Sequence, residues 1–238
     1  MKYIAGITKM LNSTTYKILH QIAKLTYKIP RVAFEARLIE YSFATSNIAK
    51  GLEKARVLDI GCCESKLPVY LAKRGYDVYG IDIGDIPEHE LFTFIQGDLR
   101  KTDFNDGFFD IITAISTIEH VGLGRYDDPI SSKGDEEALR EMHRILKSGG
   151  QLVATIPCGK DTICYSKEGV PLSRVYSSNS LINLLRGFRI LELSYIIKKG
   201  HIWLPASMAD TKQAVQHASP EKTGMTAIAL INAYKEDA

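Results

Sequence analysis

Three residues near the start of the chain have the types and spacing of a nucleoside-binding site. Asp59 and Gly61 follow an apolar run that begins at Val57, and Asp82 ends a second strand-like run. A glycine in the first turn lets a ligand approach the backbone, and the helix that follows begins with unpaired N–H groups. An acid about 20 residues further on can accept hydrogen bonds from ribose hydroxyls. The pattern therefore predicts a nucleoside-type ligand at the edge of a parallel sheet.

A histidine beyond a later strand is placed where it could take a proton from a substrate. The apolar run 108–116 predicts a buried strand, and Glu119 and His120 follow it. Ligands bind at the carboxyl ends of strands in such sheets, and histidine is suited to proton transfer near neutral pH. We therefore predict that His120 is a general base and that Glu119 orients its ring or binds the substrate. The alternative is that His120 packs against, or caps, the next short helix.

The loop after this histidine carries polar and aromatic side chains between flexible glycines. It spans residues 122–134, and its composition is typical of a gate that contacts substrate, although a solvated loop has the same composition. The candidate substrate contacts are Arg125, Tyr126 and Asp127 in this loop, with Tyr165 and Arg174 in the long segment after the fifth predicted strand.

Strand and helix patterns alternate through the core of the chain. Strands are predicted at 57–60, 77–81, 91–96, 108–116, 151–156, 189–197 and 225–234. A helix is predicted from about Asp135 to Leu146, where Gly149-Gly150 would end it. The alternation predicts an α/β fold with a doubly wound sheet and helices on both faces.

The first 50 residues form a basic segment that differs from the rest. All the charged side chains before Glu35 are positive, and apolar residues recur at helical spacing from Thr15 to Ile29, where Pro30 ends the pattern. A second helix is predicted over about 32–50. We predict a helical cap or lid (1–50) on a core domain (51–238); the alternative is a weak contact with an anionic membrane surface.

Composition limits the remaining possibilities. The chain has 238 residues, 45% of them apolar, and a net charge of +2, which does not indicate a nucleic-acid partner. Its four cysteines lack the density of a disulfide-stapled domain, so a cytoplasmic location is expected. The adjacent Cys62 and Cys63 have no neighbouring ligands that complete a metal set, so no metal site is predicted. The sequence does not indicate an oligomeric state.

Five segments together carry a family resemblance. They are VLDIGC at 57–62, GID at 80–82, GDL at 97–99, FDIITAISTIEH at 109–120 and LREMHRILKSGGQLVATIP at 139–157. The core from Arg56 to about Tyr234 resembles the class I S-adenosylmethionine-dependent methyltransferases. More narrowly, VLDIGCCES and STIEHVGLGRY are similar to methyltransferase-like proteins associated with polysaccharide synthesis. The resemblance implies a Rossmann-like, mostly parallel sheet of seven strands with a final antiparallel strand.

The resemblance also implies S-adenosylmethionine as the cofactor and assigns roles to matching positions. The implied cofactor contacts are Asp59, Gly61, Cys62 and Glu64 in or beside the first turn, Asp82 and Ile83 at the ribose, Asp98 and Leu99 at the adenine, and Ser116 and Thr117 facing the sulfonium. The first turn departs from the family's usual GCGTG, because Cys63 and Ser65 replace two glycines. Non-glycine residues there must either adopt a positive φ or form a different turn.

The expected function is transfer of a methyl group to a small polar acceptor, with an oxygen of a saccharide or similar metabolite as the target. An NAD-dependent nucleotide-sugar dehydrogenase is disfavoured because GCCESK does not match GxGxxG. Nucleic-acid methylation is disfavoured because neither Pro-Cys nor [DN]PP[YF] follows the fourth predicted strand. A catalytically inactive cofactor-binding or scaffold protein remains an alternative.

Overall fold

The computed structural model of the protein describes residues 31–48, 54–199, 202–214 and 227–236. The helices in these ranges are α1 (Arg31–Asn47), α2 (Leu67–Ala72), α3 (Gly134–Ile145), α4 (Ser178–Leu184) and α5 (Met208–Ala214). The strands are β1 (Arg56–Ile60), β2 (Asp77–Asp82), β3 (Thr93–Gln96), β4 (Phe109–Ile115), β5 (Leu146–Pro157), β6 (Thr162–Tyr165), β7 (Pro171–Val175), β8 (Phe188–Lys199), β9 (Ile202–Ala206) and β10 (Ala227–Lys235).

The main sheet is mixed, with a parallel centre. Its strand order is β3-β2-β1-β4-β5-β10-β8-β9, and the strands from β3 to β5 pair in parallel. The final strand, β10, is antiparallel to both of its neighbours, as predicted. The described sheet has eight strands rather than seven, because residues 202–206 pair along β8 as an edge strand. Strands β6 and β7 form a separate hairpin.

Each face of the sheet buries its own apolar core, because successive strand residues point to opposite faces. Val57 packs with side chains of α1 and α2, whereas the adjacent Leu58 packs with side chains of α3 and α4. The central strand β4 is buried along most of its length because both faces are covered. This two-sided burial holds the carboxyl ends of β1, β2 and β4 at a common edge.

The predicted end of the helix before β5 was wrong. Helix α3 ends at Ile145, and Gly149-Gly150 lie within β5 instead of capping the helix. The pairing with β4 jumps there from Leu146 to Gln151, so the glycines lie in a bulge of the strand. The connections 83–92 and 97–108, which the structure describes in full, contain no helix.

The N-terminal predictions are only partly within the described residues. The helix predicted over 32–50 corresponds to α1, which buries Phe43 against the sheet; the next residue after the helix, Ile48, is buried in the same cluster. The helix predicted from Thr15 to Ile29, and the membrane contact assigned to this basic segment, lie outside the described residues. Among the described helices, none has the length and apolar content needed to span a bilayer.

Candidate functional site

A cavity of about 530 Å³ opens at the carboxyl ends of the central strands. This edge is where ligands bind in open α/β sheets, and the volume lies in the range of small-molecule sites. Its principal walls are the ends of β1, β2 and β4, the turn after β1, the segments 97–99 and 125–128, and one side of α1. The structure therefore brings most of the predicted site residues to one place.

The turn after β1 accommodates Cys63 and Ser65 in place of glycines by forming a 3₁₀ turn. Gly61 has φ +74°, and a Cβ there would lie 2.5 Å from Thr117 Oγ1, so only glycine fits. Residues 62–64 form one turn of 3₁₀ helix, and none of residues 62–65 adopts a positive φ. Cys62 is buried under the turn against Gly80 and does not line the cavity, contrary to its predicted contact, whereas Cys63 does.

Asp82 is held rigidly at the end of β2. Its Oδ1 accepts a hydrogen bond from the Gly84 amide at 3.0 Å, and its Oδ2 accepts one from the Cys63 amide at 2.9 Å. Each carboxylate oxygen has a second lone pair, so the group can still accept hydrogen bonds from a ligand. Ile83 lines the cavity beside it. This geometry suits the predicted contact with ribose hydroxyls.

Asp59 is the buried acid at the end of β1. Thr113 Oγ1 donates to its Oδ1 at 2.6 Å, whereas Oδ2 has no partner at hydrogen-bond distance among the described residues. Burial raises the pKa of this carboxyl to about 6. Since Asp59 lines the cavity and an unpartnered buried oxygen is costly, the orphan oxygen suits a ligand that donates a hydrogen bond.

Asp98 lines the cavity but is already engaged. Arg100 donates to both carboxylate oxygens, with Nη2 2.6 Å from Oδ2 and Nε 2.9 Å from Oδ1. These hydrogen bonds hold the pKa of Asp98 below its usual value. A purine amine would therefore share this carboxylate with the guanidinium. Leu99 lines the cavity as an apolar surface, as expected for a contact with a base.

The end of β4 is strained and supported from α1. Ser116 has φ +49°, a conformation that is uncommon outside glycine. Its Oγ donates a short hydrogen bond to Glu40 Oε1, which also accepts from Thr155 Oγ1 at 2.7 Å. Thr117 Oγ1 donates to the Ile60 carbonyl at 3.1 Å. Buried Glu40 thus stabilises the segment that faces the predicted sulfonium position.

His120 lines the cavity with a defined tautomer. Its Nδ1 lies 2.6 Å from the Leu172 carbonyl oxygen, and because a carbonyl only accepts, Nδ1 carries the proton. Burial lowers the pKa of the imidazole to about 4, so the ring is neutral at pH 7 and Nε2 holds a lone pair. The Tyr126 ring meets the imidazole edge-on at 5.8 Å.

Glu119 is fully buried behind this ring. Its Oε1 lies 3.8 Å from His120 Nε2, beyond hydrogen-bond distance, and neither carboxyl oxygen has a partner on another described residue. Burial raises the pKa of Glu119 to about 8, so the group is protonated at neutral pH. Glu119 does not line the cavity and supplies no negative charge to the imidazole.

The predicted substrate contacts divide into two groups. Arg125, Tyr126 and Asp127 all line the cavity. Tyr165 is half-exposed outside it, and Arg174 is buried away from it, so the structure does not bring these two to the site.

Two cavity side chains on α1 escaped the sequence analysis. Arg37 and Tyr41 project from α1, with Arg37 Nη1 donating to the Ile115 carbonyl at 2.8 Å. The Tyr41 hydroxyl accepts a hydrogen bond from the Lys66 amide at 3.2 Å, which joins α1 to the segment before α2. Their spacing of four residues places both side chains on one face of the helix. That spacing was the signal in the sequence that they could reach the same site. Among the described residues, no group of side chains could hold a metal ion.

Comparison with known proteins supports the predicted superfamily. Residues 58–154 match the family model described as "Methyltransferase domain". An alignment of 113 residues is 34% identical to a ubiquinone biosynthesis O-methyltransferase of Pseudomonas aeruginosa and covers 43% of this chain and 44% of the relative. The chain thus spans less than half the length of that relative. A Marinobacter nauticus enzyme of the same name is 27% identical, with 76% of this chain and 71% of the relative covered.

The fold also matches solved structures. A Burkholderia thailandensis 1,6-didemethyltoxoflavin-N1-methyltransferase, solved with S-adenosylhomocysteine, has a TM-score of 0.61 at 15% identity and covers 96% of this chain and 92% of its own. At that identity the match shows the fold alone. Together the domain match and the fold support a methyltransferase of the S-adenosylmethionine-dependent class I superfamily.

Proposed function

We propose that the protein transfers a methyl group from S-adenosylmethionine to a hydroxyl oxygen of a small acceptor. The observation that carries the proposal is the convergence of Asp59, Asp82 and His120 on one cavity. The methyltransferase-domain match and the O-methyltransferase names of the relatives support it. The cytoplasmic location stays a prediction.

The residues present suit this cofactor. Asp82 would accept from the ribose hydroxyls, and Leu99 would pack on the adenine beside Asp98. The orphan oxygen of Asp59 and the carboxylate of Glu64 lie where a cationic amino group would be stabilised. When bound, the cofactor supplies an activated methyl group, so the protein chiefly aligns the acceptor and excludes water.

His120 is the group proposed to take the acceptor proton. The acceptor's proton would move to His120 Nε2 as its oxygen bonds to the methyl carbon, and the methyl–sulfur bond would break so that S-adenosylhomocysteine leaves. Arg37 and Arg125 both line the cavity near the imidazole. Their positive charges favour the neutral imidazole and would stabilise negative charge on the acceptor oxygen.

The environment of His120 favours an acidic hydroxyl. Its Nδ1 donates to a neutral carbonyl, and the nearby Glu119 is protonated, so no carboxylate is hydrogen-bonded to the imidazole to strengthen the base. A weak base suits a phenol or enol better than a sugar alcohol, because proton transfer is most efficient between groups of similar pKa. We therefore favour a phenolic or enolic acceptor over the saccharide predicted from the sequence. The relatives' name, ubiquinone biosynthesis O-methyltransferase, agrees with methylation of an oxygen.

The experiment is a matched acceptor panel. The protein would be incubated with S-adenosylmethionine and either phenols and enols or methyl glycosides, and formation of S-adenosylhomocysteine would be measured. We expect turnover with phenols or enols and none with glycosides. Turnover confined to glycosides would contradict the acceptor assignment. Binding of NAD but not S-adenosylmethionine by calorimetry would favour the dehydrogenase, and binding of neither would favour the scaffold alternative.

A further inference from the structure

A buried arginine outside the cavity contacts the segment that carries His120. Arg174, on β7, has a side chain only 9% exposed. Its Nη1 donates to the Val121 carbonyl at 2.6 Å and its Nη2 donates to the Ser131 carbonyl at 3.1 Å. Val121 directly follows His120, so one guanidinium reaches both the catalytic segment and the far end of the loop 122–134.

The two ends of this loop touch where Arg174 binds. The Ser131 amide donates to the Gly122 carbonyl at 2.9 Å. A Cβ on Gly122 would lie 2.6 Å from the Ser131 carbonyl oxygen, and a Cβ on Gly134 would lie 2.6 Å from that of Val121. The backbones are therefore packed without room for side chains. The closed loop places residues 125–128 over the cavity.

The same strand also holds His120 directly. Leu172, two residues before Arg174, accepts from His120 Nδ1 at 2.6 Å and from Arg125 Nη1 at 3.1 Å. The guanidinium of Arg174 is itself fixed, because its Nε lies 3.7 Å from Asp135 Oδ2 and Tyr176 donates to that oxygen at 2.7 Å. Strand β7 thus contacts both the general base and the loop.

We propose that Arg174 is a positioning residue, which holds His120 and the loop 122–134 in their working arrangement through the Val121 and Ser131 carbonyls. We call these two contacts of Arg174 the clamp. The role of the clamp in catalysis rests on the proposed function, whereas its role in holding the loop does not. Removing the Arg174 guanidinium leaves the partly buried Val121 and Ser131 carbonyls without their charged donor, and hydrogen bonds to charged groups are among the strongest in proteins.

The test follows His120 and the loop without needing an acceptor. Arg174→Met removes the charge, and Arg174→Lys keeps a positive charge beside Asp135 but cannot form the two-armed contact. The exposed Arg140→Met, whose only described ion pair is at 4.0 Å to Glu136, is the control. NMR titration would follow the His120 ring, assigned with His120→Gln, and hydrogen exchange would follow the amides of residues 122–131.

The clamp predicts a particular pattern of change. In both Arg174 variants the pKa of His120 should rise from about 4 toward the ordinary 6.5, because a released ring is better hydrated. The loop amides should exchange about tenfold faster or more, and those of β4 should not. The charged and titratable groups around His120 are not themselves substituted in these variants. Glu119, Arg37 and Glu40 lie outside the loop, whereas Arg125, Tyr126 and Asp128 belong to it and would move with it.

Three results would overturn the proposal. The first is that folded Arg174→Lys leaves the His120 titration and the loop exchange unchanged. The second is that Arg140→Met has equal effects, and the third is that the wild-type His120 titrates at 6.5. Gly122→Ala supplies a second disruption that leaves the buried charges intact, and it should reproduce the loop effect. Failure of S-adenosylhomocysteine binding in the wild type would instead refute the proposed function and leave the clamp testable.

Discussion

His120 and Glu119 are adjacent in the chain, yet burial moves their pKa values in opposite directions. The imidazole falls to about 4 and the carboxyl rises to about 8, because desolvation disfavours the charged form of each. At neutral pH both side chains are therefore uncharged. This differs from the expectation that a carboxylate would assist the imidazole, and it is the residue-scale reason for favouring an acidic hydroxyl as acceptor.

His120→Gln should lower turnover of a phenolic acceptor by about 100-fold or more, the range of general base catalysis. In the wild type, the base is unprotonated above about pH 4, so kcat/KM should not fall through histidine protonation between pH 6.5 and 5. The pH dependence of kcat/KM would measure this. His143→Gln, outside the cavity on α3, is the control. A protonation step near pH 6.5 that His120→Gln abolishes would contradict the account.

Glu119→Gln should change how stability depends on pH. The folded pKa of about 8 lies above the ordinary 4.5, so the contribution of Glu119 is full below pH 4.5 and is lost as pH rises through 8. Glutamine cannot ionise and avoids this loss. The variant should therefore be relatively more stable at pH 8.5 than at pH 5, by on the order of a few kcal/mol. Urea unfolding at both pH values would measure it, with exposed Glu88→Gln as the control.

At the scale of elements, the turn after β1 shows what sequence could and could not predict. The strand, the glycine and the following acid at Asp82 were predictable from type and spacing. The shape of the turn was not, because the choice between a strained φ and a 3₁₀ turn depends on neighbours such as Thr117 and Gly80. Those contacts join residues that are distant in the chain.

Gly61→Ala and Gly75→Ala form a matched pair of substitutions at positive φ. Both substitutions should lower the free energy of unfolding by about 1–2 kcal/mol, because alanine disfavours the left-handed conformation. Only Gly61 also has a neighbour in the way, at 2.5 Å, whereas nothing lies within 4 Å of a Cβ on Gly75. Urea unfolding should therefore show a larger loss for Gly61→Ala, by about 1–3 kcal/mol. Equal losses would show that Thr117 moves aside freely.

At the scale of the molecule, the cavity depends on parts of the chain that lie far apart. The parallel core follows from alternating strand and helix patterns, and the sequence predicted it with one strand too few. The placement of α1 over the site was not specified by its periodicity, because a helical pattern gives the buried face but not its partner. The contacts of Glu40 with Ser116 and of Arg37 with Ile115 appear only in the folded chain.

The central claim is that this cavity binds S-adenosylmethionine through Asp82. Calorimetry with S-adenosylhomocysteine should show binding to the wild type and about 10- to 100-fold weaker binding to Asp82→Asn, the loss expected for hydrogen bonds to a charged group. Asp77→Asn, at the other end of β2 and outside the cavity, should bind as the wild type does. No binding to the wild type, or equal affinity for Asp82→Asn, would contradict the account.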